Sequence, residues 1–321
     1  MRFLYYLLPR IAIAAVTLVG VSALVFAVMR FVPGGFEDMV LGPLATPEQK
    51  AIMRARYGLD QPMVVQYVKW LGQALVGDFG LSLVTHASVA AEIGRRAPTT
   101  LQLAAMSGIM AIGIGVPLGI ASALTGARRG ARVAGRLVGA LGASVPDFVL
   151  GTALVFVFTV WALGLKVGGF EPLFEDPVAN LRAMILPAVT LGVFGVALVL
   201  RTTRDAVLNV MTEPYITAAV ARGETTREIV YHHVLRNAAV PVVTVFVIYI
   251  GYFVGGAVIV ERLFSIPGVG HYLLQAIYTR DYSVVQGATL LAAAVFVGLN
   301  TLSDVLYVIL DPRIGTRRGA T

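Results

Sequence analysis

At 321 residues, 57% hydrophobic and only 13% charged, with a mean hydropathy of +0.81, the chain excludes an ordinary soluble domain, where about 25% of residues are charged. Its composition is that of an all-α membrane protein crossing the bilayer several times. The net charge of +7 resides largely in arginines between apolar runs, which points to orientation at a lipid surface rather than to nucleic acid, and the absence of cysteine excludes disulfides, thiol catalysis and cysteine metal sites.

Residues 11–31 form the first apolar run, about the 20 residues that a bilayer core requires. Arg2 and Arg10 precede it, as in a signal peptide, but the run is long for one and is read as an uncleaved first helix. Residues 32–98, opening on Pro33, Gly34 and Gly35, are mixed and polar and are expected to form an external helical segment. Within it, Thr46 as N-cap and Pro47 at the first helical position start a helix with Ile52, Met53 and Tyr57 on one side, and Gly58 ends it. A second helix begins at Gln61 and Pro62 and runs through Trp70; Tyr67 and Trp70 are interfacial anchors or packing residues, packing being favoured over ligand contact.

Five further spans are expected. Residues 101–124 are rich in small residues, and Gly115 and Gly119 have the spacing of a close helix contact, a weak motif. A basic loop with Arg128, Arg129, Arg132 and Arg136 follows, then a span over 137–163 kinked at Pro146. The acidic stretch 166–180 is external, and 182–200 is a span interrupted by Pro187. Residues 242–260 and 284–309 complete the set, with an external loop over 261–282 and a tail, 313–321, carrying Arg313, Arg317 and Arg318. The arginine-rich loops share a side with both termini, so the positive-inside rule gives six spans with cytoplasmic N- and C-termini.

The cytoplasmic loop 201–240 is too polar to cross a membrane. Thr217, Ala218 and Ala219 are followed after three residues by Gly223, and ten positions further by His233, Val234, Leu235, Arg236 and Asn237. The alanines favour helix and Gly223 is a natural stop, so the spacing predicts a short helix with a small-residue face, a turn and a second helix. Such a knob offers a soluble partner something to grip; the alternative is an ordinary basic loop between two membrane helices.

Motifs for chemistry are missing. The chain has no phosphate-binding G-x-x-x-x-G-K-[ST], no H-E-x-x-H and no G-x-S-x-G, so no catalytic or ATP-hydrolysing role is read from it. His232 and His233 are adjacent and lack the i, i+4 spacing of a shared metal site; polar contacts at an interface or with headgroups are the expectation. Asp147 and Asp304 are the acids inside spans: a local polar contact is expected for Asp147, inner-end capping or pairing with a loop arginine for Asp304, and interhelical hydrogen bonding for the Asn300–Asp304 face. An ion- or proton-coupled secondary transporter would need inverted repeats and midplane ionisable groups, and no repeat is visible. A membrane-embedded hydrolase would need a base facing its nucleophile, and the spans hold no histidine.

Nearly the whole chain resembles the first of the two membrane subunits of dipeptide/oligopeptide (and nickel) ABC importers. The resemblance rests on residues 45–83, on VPDFVLGTALVF from Val145, on RNAAVPVVT from Arg236, and on RLFSIPGVGHYLLQAIYTRDYSVVQG from Arg262 with Asn300, Asp304, Tyr307 and Asp311-Pro312-Arg313. The coupling loop departs from the general Glu-Ala-Ala pattern, with Thr217 for Glu, His233 for an apolar residue and Arg236 for Pro. What the resemblance implies is a type I importer permease fold in a bacterial inner membrane, with residues 99–312 as the permease core. The expected partners are a second homologous permease, an external substrate-binding protein and two ATPase subunits. ATP and Mg would sit on the ATPases, with no cofactor on this chain. The ATPase-coupling residues would be Tyr215, Thr217, Ala218, Ala219, Arg222, Gly223, Leu235, Arg236 and Asn237. The substrate, whether di- or oligopeptide, nickel chelate, haem or glycan, and the residues lining its path are left open.

Overall fold

The computed structural model describes residues 2–31, 41–42, 44–56, 58–124, 129–161, 164–165 and 167–310. Pro33 to Gly35, Tyr57, Arg128 and the segment 311–321 lie outside the described residues. In chain order the helices are α1 Arg2–Phe31, α2 Pro47–Arg56, α3 Met63–Leu75, α4 Val89–Ala123, α5 Arg129–Ser144 and α6 Asp147–Val160. They continue as α7 Pro177–Met211, α8 Pro214–Ala221, α9 Thr226–Ile229, α10 Leu235–Leu263, α11 Val269–Tyr278 and α12 Tyr282–Leu310, a π-helical turn, Val230–Val234, joining α9 to α10.

The bundle is built around α7, which α4 follows more closely than any other pair of helices follow each other, with α10 and α5 against its other sides. Small residues set the approach. A Cβ on Gly119 would stand 2.6 Å from that of Thr203, and one on Gly115 2.9 Å from that of Val199. The Gly115–Gly119 spacing is therefore a working helix contact, because without side chains the two backbones come close enough for dispersion along their length. Leu103, Met184, Leu191, Val260 and Phe264 fill the core toward the α11 end.

Five helices among the described residues are long and apolar enough to cross a membrane: Leu7–Phe31, Val89–Ala123, Pro177–Met211, Thr226–Phe253 and Tyr282–Val305. The expected third span differs: it is no kinked helix but two, α5 ending at Ser144 and α6 beginning at Asp147. Pro146 lacks an N–H and disfavours helical backbone at Val145, so the ladder stops and restarts. With 14 residues α6 reaches only ~21 Å, short of the ~30 Å hydrocarbon core. Pro187, by contrast, does not interrupt α7, which continues through it from Pro177 to Met211 with Pro187 buried among its neighbours. Packed neighbours tolerate a proline that an isolated helix would not.

The segment between α1 and α4 packs in part on α1. Thr46 and Gln49 exchange side-chain and backbone hydrogen bonds at the start of α2, and Tyr67 and Trp70 on α3 gather around Phe26 of α1, with Tyr67 bonded to Ser22 at 2.8 Å. Asp304 on α12 pairs with Arg10 at 3.0 Å, so its partner is a helix residue and not a loop arginine. Asn300 donates to the Phe296 carbonyl of its own helix rather than across to another. The residue takes the acceptor that lies one turn away.

At the end remote from α8, two buried carboxylates fasten α11. Glu261, fully buried, accepts from the Thr100 hydroxyl at 2.6 Å and from the His271 N–H at 2.8 Å, while Thr100 accepts from the Val269 N–H at 2.9 Å. It thereby supplies the N-terminal cap that Gly268 cannot. Gly268 leaves it the room, since a Cβ there would meet its carboxylate at 2.2 Å. At the other end of α11, Asp281 accepts from Ser82 at 2.5 Å and from the Leu83 N–H at 3.1 Å, tying down the loop ahead of α4. Glu261→Ala should cost about 2–4 kcal/mol, from the cavity and the orphaned Thr100 and His271 donors. A lowered thermal midpoint of the detergent-solubilised protein is the expected reading, and an unchanged one would contradict the cap.

Candidate functional site

The loop between α7 and α10 folds as a shelf. α7 runs on past its apolar stretch to Met211, and Pro214 sits in the first turn of α8 with its φ already set for helix. Arg222 ends α8 and Gly223 takes φ +83°. The Gly223 N–H then bonds the Val220 carbonyl at 2.9 Å and the Glu224 N–H bonds that of Ala219 at 3.2 Å. This is a Schellman stop, which needs a left-handed residue, so glycine is required for conformation although open space surrounds it. Thr225 then caps α9 with Glu228 in a reciprocal capping box.

Two faces of α8 do different work. Ile216 and Ala219, one turn apart, are buried against Ala123, Val207, Val210, Ile229 and Val234, where α4, α7 and the π turn converge. Tyr215, Thr217, Ala218, Val220 and Arg222 are exposed, Val220 at 59%. Leu235, Arg236 and Asn237 are likewise exposed on the first turn of α10. Ala219 is thus not part of a surface a partner can touch. It supports that surface from beneath.

A polar clasp closes the shelf. Glu224 accepts from the Arg222 guanidinium, Nε at 3.2 Å, and meets His233 Nε2 at 2.9 Å. Asn237 donates to the His233 carbonyl at 2.7 Å and to the Tyr215 hydroxyl oxygen at 3.3 Å, and the Tyr215 and His233 rings lie 6.0 Å apart. The Arg222 hydrogen bond, then that of His233, holds the Glu224 carboxyl below the usual carboxylate range. Burial, helped by Glu213, pushes the Tyr215 phenol up, so it stays a hydroxyl. Of the residues singled out in the sequence, the clasp joins Tyr215, Arg222 and Asn237, and leaves Thr217, Ala218, Leu235 and Arg236 outside it. Glu224 and His233 as a pair had no sequence signal, because the Gly223 turn that brings them together breaks any helical spacing. Val220 was missed as well, because its place on the outer face follows only once Ile216 and Ala219 are seen to be buried.

Two family models cover the chain. That for the binding-protein-dependent transport system inner membrane component matches residues 115–316, and that for the N-terminal part of such components matches residues 3–104. The chain belongs to this family. A probable peptide ABC transporter permease of Sinorhizobium fredii is 34% identical over 309 residues, covering 96% of this chain and 98% of that protein. The oligopeptide transport system permease AppB of Bacillus subtilis is 34% identical with 96% and 98% covered, and the dipeptide transport system permease DppB of Escherichia coli is 34% identical with 97% and 98% covered. The chain is accordingly a multi-pass inner-membrane permease component of an ABC importer, and the family accounts for it where a secondary carrier or a hydrolase does not.

Two outcomes are expected. Ala219→Arg forces an unpaired charge into a filled core, at a cost of about 3–5 kcal/mol, and should abolish monodisperse protein, whereas Val220→Arg should fold normally; equal yields of the two would refute the two-faced shelf. The depressed Glu224 pKa means that the clasp is at full strength above the ordinary carboxylate range and is lost as pH falls through the lower folded value. Hydrogen exchange of residues 222–234, corrected for intrinsic rates, should stay flat from neutral pH to ~pH 4 and rise below it. A rise already near pH 6 would contradict this.

Proposed function

We propose that this chain is the first of two permease subunits of a peptide importer and that the outer face of α8 receives an ATPase subunit. The observation that carries the coupling role is the shelf itself: a helix with one face locked to the ends of α4 and α7 and to the π turn before α10, and the other, with Val220, Tyr215, Thr217 and Ala218, offered outward. A push on that face reaches the bundle without loss in a flexible loop. Peptide as substrate is supported by what the similar permeases are named for, since they align with nearly all of this chain.

In this reading α5 and α6 together make the third of six crossings, and both termini are cytoplasmic, in keeping with the arginine-rich loops. A second homologous permease completes the path, an external binding protein delivers the substrate, and ATP with Mg is held by two ATPase subunits. Closure of the ATPases on ATP drags α8, and inward- and outward-open states exchange populations accordingly.

Purification of the tagged chain in mild detergent, with mass spectrometry of what accompanies it, tests the assembly. A second permease and one or two ATPases are expected; recovery of the chain alone from cells expressing such ATPases would refute the reading. For the coupling face, Val220→Arg in the reconstituted complex should cut substrate-stimulated ATPase activity at least about tenfold, the scale of one interface hot spot. Wild-type stimulation in a correctly assembled Val220→Arg complex would exclude this face.

A further inference from the structure

Asp147 begins α6 at the break after Pro146, and Tyr252 of α10 donates its hydroxyl to Asp147 Oδ1 at 3.3 Å. The Tyr252 ring lies 4.8 Å from that of Phe194. Phe194 lies near the middle of the apolar stretch 182–200 of α7 and Tyr252 at the middle of the stretch 242–260 of α10, which places the three side chains about half-way along the spans. They are not enclosed: Tyr252 is 48% exposed, and around it Ile248 and Phe148 are 56% and 53% exposed.

A carboxylate facing hydrocarbon at the centre of a span is costly even on the mildest scales. Among the described residues Asp147 has Tyr252 as its one hydrogen-bond partner and no cation beside it. Broken helices at half-height are the usual place for irregular backbone beside a water-filled path. The α6 N-terminus, which elsewhere would suit an anion, is here taken by Asp147 itself, which reverses the sign of the ligand. What fits is a protonated amine, taken by the carboxylate with the Tyr252 and Phe194 rings as walls.

Resting on the peptide-importer reading above, we propose that the face carrying Asp147, Tyr252 and Phe194 lines the translocation path, and that Asp147 receives the N-terminal ammonium of the passing peptide. The carboxylate gives the charged end of a flexible substrate one fixed partner half-way across, while the apolar surroundings accept varied side chains. The site is a transient one. A single carboxylate and a phenol hold an amine weakly enough to release it.

The chain has no cysteine, so a single introduced thiol reports on one place in it. In the importer reconstituted into lipid nanodiscs, Tyr252→Cys should react with a charged, membrane-impermeant methanethiosulfonate, at a rate that changes when the ATPases are trapped with nucleotide. Val16→Cys, on the exposed face of α1, should not react. A Tyr252→Cys variant as inert as Val16→Cys in both nucleotide states would overturn the path assignment. In the same system Asp147→Asn should raise the half-saturating peptide concentration about tenfold with little change in maximal rate, the loss of one charge-assisted contact, and Asp147→Glu should restore most of it. Unaltered transport by Asp147→Asn, or equal damage in both variants, would overturn the ammonium site. If the wild-type complex moves no peptide at all, the peptide reading fails instead, and the labelling rates still decide whether this face meets water.

Discussion

The structure depends on how closely α4 and α7 approach. In lipid no hydrophobic drive pulls helices together, so association rests on dispersion and shape. Gly115 and Gly119 give α4 a surface into which Val199 and Thr203 of α7 fit, and Gly195 does the same for Tyr249 of α10. These contacts bring α4, α7 and α10 within reach of one another, and everything placed at their ends follows. At one end Thr100 of α4 meets Glu261 of α10. At the other the tips of α4 and α7 and the π turn before α10 form the socket for Ile216 and Ala219.

The two buried carboxylates each close a joint. Glu261 and Asp281 stand at the two ends of α11, and each satisfies backbone or hydroxyl donors of a segment far away in sequence. A buried carboxylate with full partners fixes geometry even where it adds little net stability, because leaving any partner unmet is costly. Arg10 and Asp304 do similar work between α1 and α12, half in solvent. The result is a frame in which α11 and the loop before α4 are held to the bundle without a long helix of their own.

Much of this was legible in the sequence, and the failures have physical causes. Apolar length found the centres of α1, α4, α7, α10 and α12, because bilayer thickness is imposed from outside. Their ends were not legible: α4 starts at Val89, well before its apolar run, since a helix continues while its backbone is paired. The two prolines behaved oppositely. Pro187 lies on the buried face of α7, whereas Pro146 lies where α5 can stop, and only tertiary context tells them apart. In the candidate site the short helix and its glycine stop were readable from local propensity. That Ala219 points inward and that Glu224 meets His233 depended on how the shelf docks, which no local rule contains.

The docking of the shelf also bears on how a push would travel. α10 rises from the π turn that contacts α8, passes Tyr252 at half-height and ends at Glu261 under α11. It is one helix over 29 residues, about 44 Å long, with its single proline, Pro241, near the shelf end. Beyond that proline a helix of this length, packed against α7, moves as a rod and not as a chain of springs. The π turn carries its irregular hydrogen bonding right beside the clasp, so the place where α10 can most easily change direction is the place where α8 holds it. A displacement at Val220 would thus be converted at the turn into a tilt of α10, and a tilt alters most what stands far along the rod: the opening beside Tyr252 and the joint at Glu261. The same helix joins the clasp, the Asp147–Tyr252 pair and the Glu261 joint. If the α8 face receives the ATPase as proposed, that arrangement would carry an event there to half-height and to the far end together.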